Sequence, residues 1–221
     1  MPSERAYDVL IPPLGLSGTL TFPVNARGLV AFAHGSGSSR FSPRNTAVAQ
    51  ALNERGFATL LFDLLTPQEE HDRANVFNVG MLGERLVATV DWLQSLEPAI
   101  SSLSVGLFGA STGAAAALIA AAQLPRRIAA VVSRGGRPDL AGEALPHVRA
   151  PTLLIVGGAD PVVIELNQEA LTRLGGPTVL EIIPGATHLF PEPGAMEAVI
   201  EHAGRWFERY LQTPPSVRAA N

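Results

Sequence analysis

A chain of 221 residues, 47% hydrophobic and 16% charged, has the size of one ordinary domain and the apolar material for a sizeable core. A net charge of −4 excludes a broad basic surface for nucleic acid, and the lack of any Cys or Lys excludes disulfides, thiolate nucleophiles, Schiff bases and a P-loop. The five His are scattered without an HExxH pattern, no apolar run nears the ~18 residues of a membrane helix, and the first residues lack a signal-peptide pattern; the expectation is a soluble, cytoplasmic protein with no metal, nucleic-acid or membrane partner.

The chain alternates short β-rich runs with helical patterns, as a parallel α/β sheet requires. Tyr7–Ile11 and Gly18–Phe22, with Pro12, Pro13 and Gly15 between them, predict an antiparallel N-terminal hairpin. Leu29–His34 is a buried strand ending at Gly35. Ser42 then offers an N-cap, with Pro43 at the first helical position and Gly56 as the stop. Phe57–Asp63 is the next strand, and Leu64–Asn78, lacking a period, reads as a surface loop. Leu82, Leu86, Val90 and Leu93 share one helical face.

Leu103–Gly109 is a buried strand, followed by an Ala-rich helix over Thr112–Gln123. Three further strands, around Ile128–Ser133, Pro151–Gly158 and Thr178–Gly185, carry helices after the last two. In the final helix Met196, Val199, Ile200, Ala203, Phe207, Tyr210 and Leu211 form one stripe. Residues 1–211 read as a single domain and 212–221 as a frayed tail.

The sharpest motif is Gly109-Ala110-Ser111-Thr112-Gly113. GxSxG is weak alone, but here it leaves an apolar strand and opens a small-residue helix, which is the context a nucleophile elbow needs. The helix N-terminus behind it favours developing negative charge. The competing reading is a plain N-cap serine in a tight βα turn.

A serine nucleophile needs a base and the base an orienter. In chain order these are supplied by Asp160, just after the strand LLIVGG, and His188, just after LEIIPG. The gaps of 49 and 28 residues each hold one βα unit, so all three side chains reach the carboxyl edge of the sheet, where open α/β sheets bind ligands. Asp160 before Pro161 also reads as a helix cap, and His188 as a solvated loop residue. His71, His147 and His202 fit worse by position.

An oxyanion hole would take one N–H from Thr112 and one from the loop His34-Gly35-Ser36-Gly37-Ser38-Ser39-Arg40. Ser36 is the chosen second donor and Gly37 the alternative; Gly35 and Gly37 let the backbone approach a ligand, and His34 braces the loop. The same loop is nearly GxGxxG, with Asp63 ending the next strand as a ribose acceptor. Arg40 in place of the third Gly and two strands before the unit count against that dinucleotide reading.

The segments HGSGSSRFSPRN, LLTPQEEHDRANVF, GLFGASTGAAAAL, SRGGRPDLAG, LIVGGADPVV and PGATHLF together resemble α/β hydrolases of the dienelactone hydrolase type, in the small capless branch. The resemblance implies an α/β-hydrolase fold without a cap domain, Ser111 as nucleophile, Asp160 as acid, His188 as base, and no metal or organic cofactor. Dienelactone hydrolases proper carry Cys at the nucleophile position. Ser111 therefore points to a general ester or lactone hydrolase acting on a small-molecule ester. Thioesterase, amidase and acyltransferase use the same triad, and a non-catalytic binding module is the reading from another class. Arg40 and Arg134 are candidates to meet a substrate carboxylate; for Arg40 the alternative is a structural pair with Asp63 or with Glu69 and Glu70. The short stretch between Ser133 and Pro151 leaves little material for a lid, so small or short-acyl substrates are expected.

Overall fold

The computed structural model describes residues 5–211. The frayed tail expected beyond Leu211 lies outside them. Eight strands form one sheet in the order β1-β2-β4-β3-β5-β6-β7-β8, with β1 at Arg5–Ile11, β2 at Leu16–Phe22, β3 at Leu29–Ala33, β4 at Ala58–Phe62, β5 at Val105–Ala110, β6 at Ile128–Arg134, β7 at Thr152–Gly157 and β8 at Thr178–Ile183. Strands β3 to β8 pair in parallel; β1 and β2 are antiparallel to each other, and β2 to β4. This is the expected mostly parallel sheet with its N-terminal hairpin.

Parallel strands are covered on both faces, so they read as continuous apolar runs. Residues one apart in sequence enter opposite layers. Ala31, Leu107 and Val131 face α4 (Val79–Gln94) and α6 (Thr112–Gln123), whereas Phe32, Phe108 and Val132 face α1 (Pro43–Glu54) and α8 (Ala195–Tyr210). Burying each large side chain contributes about 1.5–3 kcal/mol. Helix α6 is apolar all round because it is enclosed: Ala114–Leu118 are fully buried, and α4 approaches so closely that a Cβ at Gly83 would lie 2.6 Å from Ile119.

The segment 64–78 is not simply a loop. It holds two one-turn helices, α2 (Pro67–Glu70) and α3 (Arg73–Val76), each fixed at its start by a side chain. Thr66 and Glu69 form a reciprocal capping box, and Asp72 accepts from the Ala74 N–H. A further turn, α5 (Pro98–Ser101), precedes β5. The β6–β7 connection folds as a 3-10 segment, Pro138–His147, that packs on α6 and α7 (Pro161–Arg173) through buried Ala141 and Leu145. It lies down on the body and forms no cap.

Candidate active site

Parallel register delivers Ser111, Asp160 and His188 to one edge. Ala110 is level with Arg134 and Gly157 with Ile183, so the turns that follow β5, β7 and β8 leave the sheet on the same side. Ser111 occupies the N-cap position of α6 yet makes no side-chain cap bond, and its backbone is left-handed at φ 51°, ψ −122°. A non-glycine residue in such a conformation stores of order 1–3 kcal/mol, held only when its surroundings over-determine it.

Those surroundings are visible. The Ser111 N–H donates to Arg134 C=O (3.2 Å), and the Arg137 N–H donates to Ser111 C=O (3.1 Å). The two elbow glycines admit no side chain: a Cβ at Gly109 would meet Ala114 Cα at 2.4 Å, and one at Gly113 would meet Ala33 O at 2.2 Å. The elbow is thus wedged between β3, β6 and its own helix, leaving the hydroxyl uncommitted.

Asp160 likewise sits at an N-cap position, that of α7, and makes no side-chain cap bond. Its Oδ2 lies 2.8 Å from His188 Nδ1. An ionised carboxylate only accepts, so Nδ1 carries the proton and Nε2 presents a lone pair. The Asp160 side chain is 17% exposed and that of His188 40%, so the acid is sheltered and the imidazole reachable. His188 and Ser111 meet the same segment: a Cβ at Gly135, one residue after the carbonyl that holds Ser111, would lie 3.6 Å from His188 Cε1.

The loop after β3 reaches the nucleophile through Gly35, where a Cβ would be 3.0 Å from Ser111 Cβ. The Ser36 N–H donates to Thr112 Oγ1 at 2.8 Å. Gly37, at φ 69°, has an N–H with no protein partner among the described residues. The Thr112 N–H, at the first position of α6, has no intrahelical partner. That the Thr112 hydroxyl would take the Ser36 amide has no signature in the sequence.

His34 is buried, with both ring nitrogens bonded to backbone. It is 7% exposed; Nε2 accepts from the Leu64 N–H (3.2 Å), so Nδ1 is the protonated nitrogen and donates to Gly35 C=O (3.1 Å). Burial holds its pKa below the ordinary value. His71 bonds Pro67 C=O, His147 ends the 3-10 segment and His202 lies within α8.

The two arginines have opposite surroundings. Arg40 is structural: its N–H donates to Asp63 Oδ1 (2.8 Å), its guanidinium pairs with Asp63 Oδ2, and it stacks over Phe41. Both oxygens of the carboxylate that a dinucleotide ribose would need are thereby occupied. Arg134 is 6% exposed and has no carboxylate partner among the described residues. It reaches Asn45 Oδ1 at 3.4 Å, its Nε is unpartnered, and burial together with nearby Arg44 lowers its pKa to about 10.

A cleft of about 520 Å³ opens beside the loop after β3. Residues 34–39 form one wall, Leu65, Val76 and Leu82 the apolar floor, and Glu70 is the one ionised side chain lining it.

A profile of the dienelactone hydrolase family matches residues 16–213. The chain belongs to the dienelactone hydrolase family. A crystal structure of a dienelactone hydrolase from Anabaena variabilis is 54% identical, covers 96% of this chain and 99% of that one, and superposes with a TM-score of 0.89. Est1E from Butyrivibrio proteoclasticus shares the fold at 19% identity, a TM-score of 0.77, and coverage of 92% and 98%. Two curated proteins of Mycobacterium tuberculosis, from strains CDC 1551 and H37Rv, are each 57% identical over 211 residues and are provisionally named phosphoribosyl transferases. These 211 residues are 96% of this chain but 47% of theirs, so the chain spans about half the length of those relatives. Membership in the family supports a hydrolase. No helix among the described residues is long and apolar enough to cross a membrane.

Proposed function

We propose that this family member is a serine esterase that cleaves small or short-acyl esters or lactones through an acyl-enzyme on Ser111. The observation that carries the reading is a serine held left-handed at a helix start with its hydroxyl withheld from capping, on the same edge as a bonded His188–Asp160 pair. His188 Nε2 takes the Ser111 proton as Oγ attacks the ester carbonyl. Asp160 keeps the imidazole in the required tautomer and stabilises the imidazolium without taking its proton.

The tetrahedral oxygen rests on the N–H of Thr112 and of Ser36. For that, the substrate oxygen replaces the Thr112 hydroxyl on the Ser36 amide; Gly37 N–H is the alternative donor. His188 then protonates the leaving alcohol, and water repeats the cycle. The open cleft beside Gly35, with nothing folded over it from the β6–β7 connection, suits small substrates. The transferase name of the longer relatives fits the half this chain does not span better than it fits a strained serine facing a His–Asp pair.

The deciding experiment is intact-mass spectrometry after treatment with a fluorophosphonate, on the wild type and on Ser111→Ala. Such reagents modify a serine activated by a base, so no substrate need be guessed. One adduct on the wild type and none on the variant is expected; a folded wild type that takes no adduct overturns the reading.

Of the two candidate arginines, only Arg134 has charge to offer an acidic substrate. Arg134→Met is expected to lower kcat/KM for acidic esters several-fold more than for neutral ones, and Arg40→Ala to leave that ratio unchanged. An unchanged ratio in both variants would remove arginine from substrate selection.

A further inference from the structure

The segment Ser133-Arg134-Gly135-Gly136-Arg137 grips Ser111 from both sides through its backbone. Arg134 C=O accepts from the Ser111 N–H, and the Arg137 N–H donates to Ser111 C=O. Between these two contacts lie Gly135, at φ 50° and against His188, and Gly136, where a Cβ would collide with Ser133 Oγ at 1.9 Å. Two consecutive glycines would leave such a segment loose unless something fixed it. Gly135 N–H is anchored to Ile155 C=O in β7 at 2.7 Å. Gly136 C=O is anchored by a side chain, Asn167 of α7, whose Nδ2 lies 3.0 Å away.

Asn167 is fully buried, and the same Nδ2 also donates to Val163 C=O at 2.8 Å. The amide cannot be turned over, because that would set Oδ1 against two carbonyl oxygens. In this orientation Oδ1 has no protein partner among the described residues. A buried acceptor left unsatisfied is destabilising and offsets part of what the two Nδ2 bonds contribute, so net stability is a poor account of an amide here. The residue makes sense by what it holds. Helix α7 begins at Asp160, so Asn167 ties the helix that carries the acid to the segment that brackets the serine and touches the base.

We infer that Asn167 is a positioning residue: through Gly136 it fixes the Gly135–Arg137 segment, and thereby the placement of Ser111 relative to His188 and Asp160. The inference rests on the serine-hydrolase reading. Misplacing reacting groups by about 1 Å can cost about 100-fold in rate.

The test follows fluorophosphonate labelling kinetics together with thermal unfolding in Asn167→Leu and Asn167→Ala, with Val163→Ala as a control that disturbs α7 packing without touching Gly136. In both Asn167 variants the maximal labelling rate is expected to fall about 10- to 100-fold. The half-saturating reagent concentration should hold, since Asn167 does not line the cleft. For Asn167→Leu, removal of the unpartnered Oδ1 offsets the loss of the donor to Gly136 C=O, so Tm should change little. Val163→Ala should lower Tm and label at the wild-type rate. Wild-type labelling in either folded Asn167 variant, whatever its Tm, overturns the inference and leaves the esterase reading standing. A wild type that does not label at all defeats both.

Discussion

Helices α1 and α6 each have a serine at the N-cap, and the two serines behave differently. Ser42 has φ −50° and its hydroxyl accepts from the Asn45 N–H, as an N-cap should. Ser111 has φ 51° and caps nothing. The aspartates repeat the contrast. Asp72 accepts from the Ala74 N–H at the start of α3, whereas Asp160 leaves the amides of α7 alone and meets His188. The histidines do so again: both ring nitrogens of His34 are bonded to backbone, while His188 Nε2 has no protein partner among the described residues. In each pair one residue gives its polar atoms to the local chain and its counterpart withholds them. That withholding, more than residue type, marks the site.

The aspartate pair should separate most widely under mutation. Asp160→Asn is expected to cut ester turnover about 10⁴-fold by disturbing the imidazole tautomer. Asp72→Ala should cost about 0.5–2 kcal/mol of stability and leave turnover intact. Parallel measurement of kcat/KM and Tm checks both, and an active Asp160→Asn would break the comparison.

For the serines the expected difference lies in stability. Ser42→Ala loses a cap worth about 1 kcal/mol, which lowers Tm by about 2–4 °C in a chain of this size. Ser111→Ala, having no cap bond to lose, should unfold within about 0.5 kcal/mol of the wild type.

The smallest effect belongs to the histidines. Burial lowers the His34 pKa in the folded state, so the unfolded chain takes up a proton first as pH falls through its ordinary value of 6.5. The stability that neutral His34 contributes is therefore complete above that value and is lost on acidification below it. The Tm gap between wild type and His34→Gln should shrink as pH falls from 7 to 5 if His34 is the bracing residue described. A gap independent of pH would show that its protonation is not linked to folding.

Much of this was legible in the sequence. The common edge of Ser111, Asp160 and His188 follows from strand ends and chain order, because a parallel sheet sends every strand's carboxyl end to one edge. Helix α6 could be bounded at Thr112 and Gln123 because its composition changes sharply there. Thr66-Pro67-Gln68-Glu69 spells a capping box, and the segment containing it is helical where the lack of an apolar period predicts a loop. Other features leave no local trace. The bond from the Ser36 amide to Thr112 spans 76 residues and that from Asn167 to Gly136 spans 31, and each depends on a rotamer chosen by tertiary packing. The split between the arginines is of the same kind, since Asp63 is within reach of Arg40 alone.

On the proposed esterase reading, the β6–β7 connection, folded flat against α6 and α7, bears on what becomes of an acyl group placed on Ser111. With no roof over the nucleophile, the covalent intermediate faces bulk solvent on the side from which the alcohol has just departed. Water is then always the most abundant second reactant, and an added alcohol competes only through its concentration and its fit to the cleft beside Gly35. On that reading an uncovered site favours hydrolysis, and turning it to synthesis calls for a shelter over Ser111.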